Sequence, residues 1–162
     1  VLKQLNENKS WRSLFGKVNS RMRDQELILR FFALYFNANN YNKPMKEFLN
    51  VYMGRNRHLK FQSKEQHTST FTNAIEIVRK SLGSTAFRPK RALNAAVFDA
   101  VMVGIARRLT RGKIENYKSV RKQYDALLNN SDFVNSTEKS TADEENVSRR
   151  IKLATDAFSE VG

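Results

Sequence analysis

The chain has no cysteine among its 162 residues, which excludes disulfides, thiolate metal sites and cysteine nucleophiles and leaves the redox compartment open. Proline occurs twice and glycine six times, each glycine standing alone. Neither Gly16-Lys17 nor Gly112-Lys113 follows the earlier glycine that a phosphate-binding loop requires, so no nucleotide cradle is encoded. The two histidines, His58 and His67, have no partner at four-residue spacing and no carboxylate cluster nearby, which argues against a zinc or two-metal site. His67, four residues before Phe71, reads as an edge-of-core side chain rather than a catalytic base. No serine has a matching histidine and carboxylate arrangement. Cofactors are therefore not expected, and no metal ligand set is assigned.

Long apolar runs are missing as well. The longest nearly uncharged stretch, Ala92 to Ala106, contains Asn94 and Asp99 and is too short and polar to span a bilayer. The first residues, VLKQLNENK, lack the pattern of a signal peptide. A soluble cytoplasmic protein is the expectation, with no membrane partner. A first residue of Val rather than Met suggests a fragment or module of a longer protein.

Acidic residues are scarce relative to basic ones, 16 against 29, giving a formal charge of +13. That excess favours a polyanionic partner, nucleic acid ahead of acidic protein or membrane surface, against the plain alternative of a solvated basic face. The basic charge is uneven. Residues 43 to 64 carry six Lys and Arg against one acid, 79 to 91 carry five against none, and 107 to 122 carry seven against one. The densest run, Arg107, Arg108, Arg111, Lys113, Lys118, Arg121 and Lys122, is the candidate site for phosphate contacts, because clustered cations gain affinity by releasing condensed counterions. Arg107 and Arg108 also suit a helix C-terminus through the dipole. No base-reading signature accompanies them, so contact with DNA would be to the backbone.

An apolar content of 40% suffices for one core, and residues 1–162 read as a single helical domain. The stretch RMRDQELILRFFALYF, Arg21 to Phe36, is interrupted in its apolar second half only by Arg30, so other helices must wrap it. Asp24 stands where an N-cap belongs. Ser10 is placed to cap a first helix carrying Trp11, Leu14, Phe15 and Val18 inward. Pro44 suits the first position of a helix with Phe48, Leu49, Tyr52 and Met53 on its inner face. A helix from near Ser63 ends at Gly83. Asn94 caps NAAVFDAVMVGIARRL, a second helix apolar almost all round. A helix from about Ile114 turns Tyr117, Val120, Tyr124 and Leu127 inward, residues 129 to 140 read as loop, and Thr141 with Glu144 matches a capping box for the last helix. The fold class is all-α: a bundle of about six or seven helices around two buried ones, 24–37 and 94–109.

Arg21, Asp24, Glu26, Arg30 and Asp99 form a candidate structural charge network. Glu26 and Arg30 are spaced i, i+4, and an unpaired buried charge is costly, so Arg30 is expected to reach Asp99 across the two buried helices. The alternative is that Arg30 contacts a ligand at a domain face.

These blocks, RMRDQELILRFFALYF, YNKPMKEFLNVYM, a Phe71-centred helix, FRPKRALNAAVFDAVMVGIARRL and STADEENVSRRIKLATDAF, resemble the helical C-terminal half of the N-terminal domain of GmrSD-type restriction endonucleases. The likeness runs from about Leu14 to Phe158, and its most specific part is Arg-x-x-Asp-x-Glu-x-x-x-Arg followed by Phe48-Leu49 and Met53. The resemblance implies a larger protein with a ParB/sulfiredoxin-like N-terminal fold bearing an Asp-Gly-Gln-Gln-Arg type motif. That part is linked to nucleotide hydrolysis or DNA processing in defence against phage DNA with modified bases. This chain carries neither that motif nor the histidine pair of a His-Asn-His nuclease, so no catalytic residue is transferred to it. A scaffold and DNA-facing surface is the expected role. The competing reading is a purely structural bundle that docks the missing N-terminal domain through the apolar edge of its first helix. A helical ribonuclease toxin is disfavoured, since Arg55 and His58 are too close together and His67 follows no nearby helical arginine.

Overall fold

The computed structural model describes residues 1–162 as nine α-helices and no strand: α1 Leu2–Asn6, α2 Lys9–Phe15, α3 Arg23–Asn37, α4 Met45–Arg55, α5 Lys64–Leu82, α6 Ala95–Leu109, α7 Tyr117–Leu128, α8 Ser131–Glu138 and α9 Glu144–Ser159. Short 3-10 turns follow α3 and α5. The chain is therefore all-α, with two or three helices more than the expected six or seven.

The centre of the bundle is α6. Every residue from Ala96 to Ala106 is buried, which leaves no polar stripe and requires neighbours on all sides. Those neighbours are α9, α5 and α3. Gly104 sets the approach of α9: a Cβ at that position would meet Phe158 Cδ2 at 2.9 Å and the Ala154 carbonyl oxygen at 3.0 Å. The other expected pillar, α3, buries Leu27, Ile28 and Phe31 to Leu34, but leaves Leu29, Tyr35 and Phe36 only half-buried. An aromatic cluster of Trp11, Phe31, Phe71, Phe87 and Phe98 joins α2, α3, α5 and α6, with ring centroids 4.9–5.9 Å apart in tilted or edge-on pairs.

Local corrections follow from competing hydrogen-bond partners. The expected cap Ser10 lies inside α2, where its hydroxyl donates to Glu76, while Asn8 Oδ1 accepts from the Trp11 amide at 3.0 Å. The helix ends at Phe15, so Val18 is solvent-exposed at 72% rather than inward. Met53 is likewise exposed, because the inner face of α4 narrows to Phe48, Leu49 and Tyr52. Pro44 precedes α4 as its N-cap. At α5 the start is sharp: Ser63 and Gln66 form a reciprocal capping box. α7 begins at Tyr117, not near Ile114, because Asn116 Oδ1 accepts from the Ser119 amide.

Residues 131 to 138, expected as loop, form α8, capped by Asn130 and burying Phe133, Ser136 and Thr137. The expected Thr141–Glu144 capping box is absent. Asp143 occupies the N-cap position, and Glu144 Oε1 instead accepts from the Lys43 amide at 2.9 Å. No helix is long and apolar enough to cross a membrane.

Candidate nucleic-acid interface and buried charge networks

The expected charge network separates into two clusters. In the first, Asp24 is fully buried within the first turn of α3 and is not its N-cap. It accepts from Asn6 Nδ2 and Arg12 Nη2 at 3.0 Å each, and from the amides of Asn19 and Gln25 at 3.2 and 3.0 Å. Burial alone would raise its pKa. The four donors outweigh burial and hold the carboxyl below its ordinary value. Asn6 Oδ1 in turn accepts from the Trp11 indole at 3.0 Å. Asp24 thus fastens α1, α2 and the turn before α3 to one another, which explains why the weakly apolar first residues are helical.

The second cluster centres on Asp99 of α6. Arg30 reaches it as expected, with Nε to Oδ1 at 3.1 Å and Nη2 to Oδ2 at 2.5 Å. A second guanidinium, Arg150 of α9, which the sequence reading leaves out of the network, joins it. It is 0% exposed and donates to Asp99 Oδ2 at 3.2 Å and to the carbonyls of Ser136 and Thr141 at 3.1 and 2.7 Å. Its Nε has no partner. Desolvation dominates the Arg150 pKa and lowers it, although Asp99 opposes the shift. Desolvation also works against Arg30, but Asp99 prevails there and the pKa is raised. One carboxylate thereby ties α3, α6 and α9 together, and Arg150 adds the turn before α9. Sequence carried a signal for this residue: Arg150 falls beside Ile151 and three after Val147, on the inner stripe of α9.

The outer members of the expected network are solvent-facing. Arg21 and Glu26 are exposed and form no ion pair. Glu26 lies near enough to favour the charged form of Arg30, without a direct bond.

The candidate phosphate-contact run is divided in the same way. Arg107 Nη1 donates to Thr155 Oγ1 at 3.0 Å. Arg108 donates to the carbonyls of Val161 and Gly112 at 2.7 and 3.0 Å, and Arg111 to the carbonyl of Ser159 at 2.6 Å. The bonds to Ser159 and Val161 satisfy carbonyls at and just beyond the end of α9, where cations complement a helix C-terminus. Arg121 pairs with Asp125 at 3.1 Å and donates to the Leu82 carbonyl at 3.3 Å. Lys113, Lys118 and Lys122 are exposed and have no partner in the chain. Lys118 and Lys122 stand one turn apart on α7, so both project from the same side.

A second basic region occupies the connection between α4 and α5. Arg55, Arg57, Lys60 and Lys64 are exposed there without ion-pair partners, and Phe61 is 65% exposed among them. Beside this connection a groove of about 860 Å3 is lined by Leu29, Tyr52, Met53, Arg57, Leu59 and His67, among others. At its floor the His67 ring faces the Ser63 carbonyl through Nδ1 at 2.9 Å and the Tyr52 hydroxyl through Nε2 at 3.0 Å. A carbonyl only accepts, so Nδ1 carries the proton and Nε2 accepts from Tyr52. Burial lowers the His67 pKa, against the opposing bond to Ser63. The residue is at the core edge, edge-on to Phe32 at 4.6 Å.

No group of three or more His, Asp or Glu residues is placed to hold a metal ion. No protein-family model, curated protein or solved structure matches the chain. The class that the structure defines is an all-α helical bundle.

Proposed function

We infer that the chain is a helical scaffold whose basic surface contacts the nucleic-acid backbone, the role implied by its resemblance to the helical part of GmrSD-type restriction proteins. The observation that carries this reading is the unpaired lysine face of α7. Lys118 and Lys122 on α7, and Lys113 in the connection before it, stay free while neighbouring arginines and Asp125 are bonded within the chain. Free ammonium groups beside one another attract phosphates without reading bases. In this reading Arg107, Arg108 and Arg111 hold the ends of α6 and α9, and the lysines meet the ligand. The partners are DNA and the ParB-like N-terminal domain that the resemblance implies. Hydrolysis of nucleotide or DNA, restriction and phage defence would belong to that larger protein.

A structural docking role is the second reading, favoured by Val18 and Met22, which are 72% and 52% exposed on the turn between α2 and α3. Titration with a short DNA duplex at 50, 100 and 200 mM salt separates the two, salt values on the order used for counterion-release slopes. Backbone contact predicts affinity that falls steeply with salt. Absence of binding at the lowest salt contradicts it and leaves docking.

A further inference from the structure

We propose that the connection between α4 and α5, with the groove beside it, is a single-strand nucleic-acid site in which Phe61 stacks on a base and Arg57 and Lys60 meet the flanking phosphates. Four observations converge. The segment from Phe48 to Ile75 contains four Lys or Arg and a single acid, Glu65. Those cations, Arg55, Arg57, Lys60 and Lys64, have no ion-pair partner, unlike Arg79 and Lys80 further along α5, which both pair with Glu76. Phe61 projects 65% exposed from the middle of the cationic run, where burial would ordinarily be favoured by its apolar ring. Leu59 holds φ at +54°, an uncommon conformation for a residue with a branched side chain, and is itself 38% exposed at the groove wall.

An aromatic face among cations fits a single strand better than a duplex. Bases in a duplex are already stacked, whereas every unpaired base offers a π-face to a ring, and the phosphates on either side track positive charge. The groove lining supplies the remaining chemistry: apolar Leu29 and Met53 for a splayed base, with the exposed Arg57 beside them. Charge complementarity therefore selects a polyanion, and the exposed ring selects unstacked bases.

This site is separate from the lysine face of α7. Arg121 reaches the Leu82 carbonyl at the C-terminal end of α5, while Lys64 begins its N-terminal end. The 19 residues of α5 set the two ends roughly 27 Å apart at about 1.5 Å per residue. The single-strand site stands on its own residues and survives if the α7 lysines bind nothing.

The test is fluorescence-anisotropy titration of the full chain with a labelled oligothymidylate, a duplex of equal length, and vesicles containing phosphatidylserine. The variants are Phe61→Ala, Arg57→Gln with Lys60→Gln, and Lys118→Gln with Lys122→Gln. Phe61 is exposed, so its removal leaves the core intact. Expected is a loss of at least about fivefold in oligothymidylate affinity for Phe61→Ala, the lower end of a single base-stacking contribution, with duplex affinity unchanged. The Arg57/Lys60 variant should lose affinity and salt sensitivity toward the single strand, and the Lys118/Lys122 variant should weaken only the duplex. Oligothymidylate binding that ignores Phe61→Ala, or no such binding at low salt, overturns the proposal. Vesicle binding that Phe61→Ala abolishes, without oligothymidylate binding, overturns it in favour of a membrane surface. A parent chain that binds oligothymidylate but no duplex at low salt would overturn the α7 reading and leave this one standing.

Discussion

Asp99 carries one negative charge between two guanidinium groups, Arg30 and Arg150, in a place where neither Asp99 nor Arg150 touches solvent. Breaking a buried ion pair by neutralising one member costs about 3–5 kcal/mol, since the remaining charge loses its compensation. Asp99→Asn should therefore destabilise the fold by about that amount in urea unfolding. Arg30→Gln should cost less, because Arg30 is partly exposed and Arg150 still holds the carboxylate. Equal losses would show that the two arginines do not share Asp99. His67 gives a distinct pH signature. Its folded pKa is depressed by burial, so the unfolded chain binds its proton first and folding loses stability as pH falls below about 6.5. The lowered carboxyls of Asp24 and Glu76, the latter held near about 2 mainly by Arg79 and Ser10, contribute stability above about pH 4 that is lost in more acid solution. His67→Gln should remove the upper step in a pH series of melting temperatures and leave the lower one. Persistence of the upper step would assign it to another group.

Among the elements, the α6–α9 pair is the tightest crossing, and Gly104 makes it possible. Alanine at that position gains up to about 1 kcal/mol in helix propensity, but its Cβ meets backbone of α9 at 3.0 Å. Overpacking against backbone typically costs about 1–3 kcal/mol, so Gly104→Ala should lower stability, and Gly104→Val should lower it further. Thermal unfolding of the two variants checks the order; an Ala variant more stable than the parent would mean that α9 shifts freely. Helices with long apolar periodicity were legible in the sequence: α3, α5 and α6 fall within a residue or so of expectation. The bond between Arg30 and Asp99 was legible too, because a charge on an otherwise apolar helix demands a partner. Helices α1 and α8 were not. α1 spans only five residues, and its stability comes from Asn6 joining Trp11 and Asp24, a tertiary cause with no local period. α8 had a readable cap in Asn130 and an inward Phe133, but its serine and asparagine content resembles that of a loop.

At the scale of the whole molecule, the formal charge of +13 is divided between cations that build the fold and cations left to solvent. Charge counting along the sequence located the basic run at 107–122, yet it could not distinguish a guanidinium bonded to the Ser159 carbonyl from a free ammonium. That distinction depends on where α9 ends, beside α6, and so on the complete packing. In the proposed role, the free lysines Lys118 and Lys122 of α7, with Lys113 before it, meet phosphates while the arginines next to them hold the fold. The slope of log affinity against log salt for a DNA duplex, measured for the parent chain and for the Lys113→Gln, Lys118→Gln, Lys122→Gln variant, separates that role from a solvated basic surface. The variant is expected to fold as the parent does and to show a slope shallower by about 0.9 for each phosphate contact removed. A variant with the parent's slope and affinity would contradict that role.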